Sequence, residues 1–225
     1  MKETRVNMEG ISLISGGKDS LFSTFLAMEQ GIELKRILTI IPERFSMMYH
    51  FPNVELVEYI GKAMNLEHRT FRISDNPEDL LFVLSKFDEK VIVSGAIESE
   101  YQKNRLDMVS SELGKIHYAP LWRKNPETII KNIIELGLRA IIVGVFAEGL
   151  DENFLGREIN YETLDDLISL KRKYGIHICG EGGEYETFVF DAPFFNYRIE
   201  IVEYEKIWNK DHGIMNIKRV RLQKK

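Results

Sequence analysis

Cysteine is almost missing from this chain: Cys179 is the single one in 225 residues. One thiol cannot close a disulfide within the chain, build a cysteine-ligated zinc site or form a persulfide pair. Long apolar runs are missing too, and none approaches the roughly 20 residues that span a bilayer. The N-terminal MKETRVNMEG is polar and lacks a signal-peptide core. Positive charge is not in excess: 35 acidic residues against 30 lysines and arginines give a formal charge of −5. A general nucleic-acid coat needs surplus cations against phosphate, so the balance argues against that class while leaving room for a local basic patch. Internal repeats, low-complexity tracts and flexible linkers are absent. The expectation is a soluble, cytoplasmic protein with no membrane partner, and with room for a homo-oligomer.

What is present is ample core material, 44% hydrophobic and 11% aromatic. Apolar, β-branched ISLIS (11–15) reads as a buried strand, and DSLFSTFLAMEQG as a helix with Leu21, Phe25 and Met28 at helical spacing. LKRILTIIP (34–42), EHRTFRIS and KVIVSGAI read as further strands. They alternate with helices over NVELVEYIGKAMNL, capped by Asn53, and NPEDLLFVLSKF, with cap Asn76 and Pro77 at the first turn. Strands alternating with helices predict a doubly wound parallel sheet. Beyond it come helices over QKNRLDMVSSELG, NPETIIKNIIELG and NYETLDDLISLKRKYG, the strand RAIIVGVFA, and an alternating hairpin, YRIEIVEYEKIW with IMNIKRVRLQ. The fold class expected is α/β, with a C-terminal α+β subdomain. The division falls between residues 1–100 and 101–225, where the regular alternation ends.

The first strand runs into SGGKDS (15–20), which opens a helix. Open α/β sheets bind ligands at this place. A helix N-terminus carries unpaired N–H groups and about half a positive charge, which suits an anion. Gly16 and Gly17 let the backbone come close to a ligand, Ser15 and Ser20 add hydroxyls, and Lys18 adds a point charge. Asp19 makes sense beside an anion where it orients the loop or holds a magnesium ion. The common P-loop needs a glycine at the position of Ser12 and Ser or Thr at that of Asp19, so this is another kind of loop.

A second unusual stretch is HICGEGGEYETFVFDAPFF (177–195). Glu181, Glu184 and Glu186 stand close enough to repel one another unless a cation or an amine joins them. Such a cluster holds magnesium, orients an ammonia nucleophile or accepts its proton. A solvated turn between strands fits the same residues. Gln102 and Arg105 share one helix near the end of the fourth strand, and the arginine fork suits a carboxylate or phosphate.

SGGKDS resembles the PP-loop, SGGxDS, of the N-type ATP pyrophosphatases. HICGEGGEYET with DAPFF, GAIESEYQKNR (95–105), PLW (120–122) and MYHFPN (48–53) resemble the diphthine–ammonia ligase (diphthamide synthetase) family of those enzymes. The likeness runs from about residue 11 to 195. The chain departs from it at Asp107, where relatives carry glutamate, and at Asn125, where aspartate is frequent.

The resemblance implies a Rossmann-like PP-loop (HUP) fold, and ATP and Mg2+ as cofactors. It implies adenylation of the diphthine carboxylate on translation elongation factor 2, followed by displacement of AMP by ammonia. Ser15, Gly16, Gly17, Lys18, Asp19 and Ser20 are then the nucleotide loop, with Asp19 as the metal candidate and backbone of Thr39 and Ile40 facing adenine. Lys18, Asp19, Glu181, Glu184 and Glu186 are the catalytic candidates. His50, Tyr101, Gln102, Arg105, Gly180, Gly182, Gly183 and Thr187 are the substrate-side candidates. Two alternatives stay open: a tRNA-modifying PP-loop enzyme, and a non-catalytic module that binds ATP or AMP. The single cysteine argues against thiolation, and the intact Lys18, Asp19 and acidic cluster argue against a mere binder.

Overall fold

The computed structural model describes residues 8–42, 53–74 and 76–225. In chain order β1 (Glu9–Leu13), α1 (Lys18–Glu29), β2 (Glu33–Pro42), α2 (Val57–Met64), β3 (Glu67–Ile73), α3 (Pro77–Leu84), β4 (Val91–Val93), α4 (Glu100–Glu112) and β5 (Ile116–Tyr118) come first. The five strands pair in parallel in the order β3-β2-β1-β4-β5. This is the expected doubly wound sheet, and β1, where the winding reverses, carries SGGKDS at its carboxyl end. Then follow α5 (Pro126–Leu136), β6 (Arg139–Val145), α6 (Tyr161–Tyr174), β7 (Tyr185–Asp191), β8 (Tyr197–Asn209) and β9 (His212–Lys224). Their strands form a second, antiparallel sheet in the order β7-β6-β9-β8. The division expected between residues 100 and 101 falls where α4 begins. The parallel sheet retains α4 and β5, and the antiparallel sheet starts with β6.

Local chemistry explains most helix ends. Asn76, Asn125 and Asn160 accept from the N–H of Glu78, Thr128 and Thr163 at 3.1, 3.0 and 2.9 Å. Gly137 and Gly175 stop α5 and α6 in left-handed conformation, with φ of 78° and 75°. Asn53 differs from its expected capping role. It has φ 70° and makes no side-chain cap. Its amide instead donates to Met215 O at 3.0 Å and accepts from Ile217 N at 2.7 Å, tying the start of the α2 segment to β9.

One apolar cluster crosses both sheets: Ile14, Leu21, Val57 and Ile60 meet Ile142, Phe188, Val189 and Ile199. Burying each such Leu, Ile or Phe contributes about 1.5–3 kcal/mol. A separate cluster of Ile11, Leu38, Leu80, Leu84, Leu106 and Val109 packs α3 and α4 on the parallel sheet. The antiparallel sheet therefore backs directly onto the glycine loop.

Candidate functional site

The glycine loop turns sharply because Gly16 has φ +90°, a value that L side chains rarely adopt. A Cβ there would also stand 3.0 Å from Val57 Cγ2. Gly17 is the N-cap of α1 and makes no side-chain cap. Ser15 Oγ accepts from Gly17 N at 3.3 Å, and Ser20 Oγ donates to Gly17 O at 2.9 Å. Gly95, just past β4, presses on the same helix start: a Cβ added there would sit 2.8 Å from Ser20 N. The loop is fixed from behind by β7. Thr187 Oγ1 accepts from Lys18 N at 3.1 Å, and Val189 N donates to Gly16 O at 2.9 Å.

Lys18 points into the protein and is 2% exposed. Its ammonium donates to Cys179 O at 2.6 Å and to Asp19 Oδ2 at 2.9 Å, and lies 4.8 Å from the centre of the Tyr185 ring. Burial alone would favour the neutral amine. The Asp19 carboxylate, then Tyr185 and Cys179, outweigh it and hold the ammonium pKa above its ordinary value. The other oxygen, Asp19 Oδ1, is buried without a hydrogen-bond partner. One unengaged carboxylate oxygen suits magnesium, which usually takes one or two carboxylates and fills its shell with phosphate oxygens and water. Among the described residues no group of three His, Cys, Asp or Glu side chains stands ready to cage a metal.

The HICGEGGE turn is organised from within. Glu184 Oε1 accepts from His177 N at 2.8 Å, and its Oε2 accepts from Gly182 N at 2.9 Å. His177 Nδ1 accepts from Cys179 N at 3.2 Å and from Glu181 N at 3.3 Å, so the ring proton sits on Nε2. Glu181 Oε1 accepts three backbone N–H groups, from Ile97, Glu98 and Ser99, each at 3.1 Å. Gly180 has φ +75°, and a Cβ on it would lie 2.7 Å from Tyr185 O. Gly183 is also left-handed, with φ +84°. Glu186 follows on β7, where burial pushes its carboxyl up to about 7; Lys18 opposes this and Asp19 adds to it.

Models of the diphthamide synthase N-terminal and C-terminal domains match residues 8–116 and 125–222. A diphthine–ammonia ligase of Danio rerio is 34% identical over 96% of this chain and 95% of its own length. That of Mus musculus is 31% identical over 96% of this chain and 91% of its own. That of Homo sapiens is 34% identical over 85% and 82%. This chain belongs to the diphthine–ammonia ligase family.

Among the described residues, SGGKDS, HICGEGGEYET, GAIESEYQKNR and the residue after PLW are tied together by hydrogen bonds. Within the diphthine–ammonia ligase GAIESEYQKNR block, the turn Ile97–Ser99 receives Glu181, and Arg123 N, directly after PLW, donates to Ile97 O at 2.8 Å. Ser99 caps α4, accepting from Gln102 N at 3.4 Å. Tyr101 stands 65% exposed at the start of α4, and Gln102 is exposed beside it. Arg105 Nη1 donates to Tyr101 Oη at 3.3 Å, and Nη2 donates to Asn76 O at 3.0 Å, so it braces the β3–α3 connection. Thr39 is buried and engaged, donating to Ile14 O at 3.0 Å and accepting from His68 Nε2 at 2.9 Å. Thr39 and Ile40 lie beyond Leu38, the last β2 residue registered with β1. His50 lies outside the described residues.

Two arrangements were not legible beforehand. His177 accepts two amides of the turn, and its position at the head of the glycine-rich acidic stretch is the available sequence signal. Ser94 Oγ lies 2.7 Å from His117 Nε2, whose Nδ1 lies 2.7 Å from Asp107 Oδ1. This has the connectivity of a nucleophilic triad, but Ser94 is 5% exposed. It fastens α4 to β4 and β5, with Lys103 on the far oxygen of Asp107. At the other departure from the family pattern, Asn125 caps α5.

Proposed function

We propose that this chain is an ATP-dependent ligase that amidates diphthine on translation elongation factor 2, giving diphthamide in the cytoplasm. The diphthine carboxylate attacks the α-phosphorus of ATP, and pyrophosphate leaves an acyl-adenylate. Ammonia adds to the acyl carbon, the C–O bond to AMP breaks, and the surplus proton on nitrogen passes to a base. Adenylation makes a poor leaving group a good one, so the protein's task is positioning and charge neutralisation.

Residues 1–100 take the nucleotide, and residues 101–225 take most of the acceptor. Ser15, Gly16, Gly17, Lys18 and Ser20 bind the phosphates at the start of α1. Thr39 and Ile40 offer backbone to adenine where β2 outruns β1. Asp19 Oδ1 would hold magnesium, which when bound neutralises phosphate charge. Tyr101, Gln102, Arg105, Gly180, Gly182, Gly183 and Thr187 are the residues for the acceptor side. Glu186, with a carboxyl near 7, matches the task of taking a proton from nitrogen at neutral pH.

The observation that carries this reading is the direct tie between the two signature stretches. Lys18 N and Gly16 O bond to Thr187 and Val189, and the Lys18 ammonium sits on Cys179 O. A phosphate-binding loop and an acid-rich turn then form one site. The test is a mass spectrum of diphthine-bearing elongation factor 2 after incubation with this protein, ATP, magnesium and ammonium. An acid-to-amide mass change with AMP and pyrophosphate released supports the proposal. AMP formed with an unchanged factor points to another acceptor, such as a tRNA base, and bound but intact nucleotide points to a non-catalytic module.

A further inference from the structure

We propose that Glu181 is a positioning residue for the ligation, acting through the Ile97–Ser99 turn and not through proton transfer. The inference rests on the ligase reading given above. Its ground is the pattern of three backbone N–H groups converging on the single oxygen Oε1, each at 3.1 Å. A carboxylate oxygen has two lone pairs. Oε1 is therefore fully engaged, and only Oε2 is left to meet a proton on substrate nitrogen, which is the point the glutamine variant below tests.

What those bonds hold is specific. The turn is short, and the carboxylate gathers three consecutive amides, of which those of Ile97 and Ser99 are part-buried and would be costly to leave without an acceptor. On its far side Ser99 caps α4, whose exposed Tyr101 and Gln102 are substrate-side candidates. On its near side Gly95 lies against the backbone of Asp19 and Ser20. Arg123 N holds the same turn through Ile97 O. Glu181 is itself held in place, its own N–H donating to His177 Nδ1 at 3.3 Å. The acidic turn thus sets the spacing between the nucleotide loop and the acceptor-side helix. Glu184 spends both oxygens inside the same turn.

Positioning and proton transfer make opposite forecasts for one substitution. Glu181→Gln keeps a carbonyl oxygen able to accept the three amides but cannot take a proton. Glu181→Ala removes the acceptor. Amidation of diphthine-bearing elongation factor 2 is followed with AMP release, alongside amide hydrogen exchange at Ile97, Glu98 and Ser99. The expected result is that Glu181→Gln stays within about 10-fold of wild type, with an unshifted pH–rate profile. Glu181→Ala is expected to lose about 100-fold, chiefly as a higher KM for the protein acceptor. Its three amides exchange faster, while those of Glu181→Gln remain protected.

Glu181→Gln as inactive as Glu181→Ala, with its amides still protected, would overturn the proposal in favour of a proton-transfer role. Full activity of Glu181→Ala would overturn it as well. If Glu181→Ala does not fold, the glutamine variant and its exchange pattern decide alone. Wild-type protein that forms no AMP refutes the ligase reading and with it the role in ligation; the exchange data then still accept or reject the clamp.

Discussion

The backbone N–H of Lys18 donates to the hydroxyl of Thr187 at 3.1 Å, joining residues 169 positions apart. Through this bond the first residue of α1 and the strand β7 share one coordinate. Thr187→Val keeps the shape and removes the acceptor. It should lower stability by about 1 kcal/mol, and more if the amide is left unsatisfied. Nucleotide affinity should weaken several-fold with the loop less fixed. Thermal unfolding and a titration with an ATP analogue measure the two effects, and an unchanged affinity would detach β7 from nucleotide binding.

Lys18→Met removes the ammonium but leaves the Asp19 carboxylate and the Cys179 carbonyl facing an apolar side chain. Breaking a buried pair in this way costs about 3–5 kcal/mol, less where water reaches the carboxylate, whose side chain is 22% exposed. Adding Asp19→Asn should restore part of the stability without restoring AMP formation. Denaturant unfolding of both variants checks the first statement. An assay of AMP release checks the second, and a double variant that regains turnover would remove both residues from the reaction.

At Gly95 the constraint is space. A methyl group would come within 2.8 Å of Ser20 N and 2.9 Å of Ser20 Cα, and backbone cannot swing aside as a side-chain tip can. Gly95→Ala should cost about 1–3 kcal/mol and displace the start of α1 from β4. The loss in AMP formation should exceed the loss in stability. A crystal structure of the variant with an unmoved helix would contradict the steric argument.

Glu186 gives the molecule a pH dependence of definite sign. Its carboxyl lies near 7 in the folded chain, raised by burial from an ordinary 4.5. The folded state therefore holds a proton that the unfolded state has lost between these values. Stability from this group is complete below about pH 4.5 and falls as pH rises through 7. Glu186→Gln should be more stable than wild type by about 2 kcal/mol above pH 7, and the gap should close toward pH 4. Parallel unfolding curves across that range measure it; a constant gap would mean that Glu186 does not titrate there. Ligation by the glutamine variant should fall, because the amide cannot take the nitrogen's proton.

Local features were readable from the chain because the residues that make them are neighbours. Asn76 beside Pro77 and Asn160 ahead of α6 announce helix starts, and the alternation in β8 announces a two-sided ribbon. The strand β5, only Ile116–Tyr118, is too short for any period, and it pairs because β4 lies beside it. The strand β7 hides its alternation, since Phe188, Val189 and Phe190 are all buried. Asn53 has capping chemistry but spends it on β9. The residues of the candidate site were legible, and their partners were not. Nothing near Glu181 in sequence points to three amides more than 80 positions away. Nothing near Lys18 announces that its ammonium is sealed inside.

The bond from Val189 N to Gly16 O has a consequence for how the chain avoids its own kind. β7 is an outer strand of the antiparallel sheet, and an open rim of that sort is a template for foreign strands. Here the glycine loop lies along that rim and occupies one of its donors. The loop thus serves as a guard strand on that rim. Severing the chain between the two segments that match family models would strip the guard from one fragment and the buttress from the other. The two halves are bound to a common fate in solution, each shielded by the same few backbone atoms.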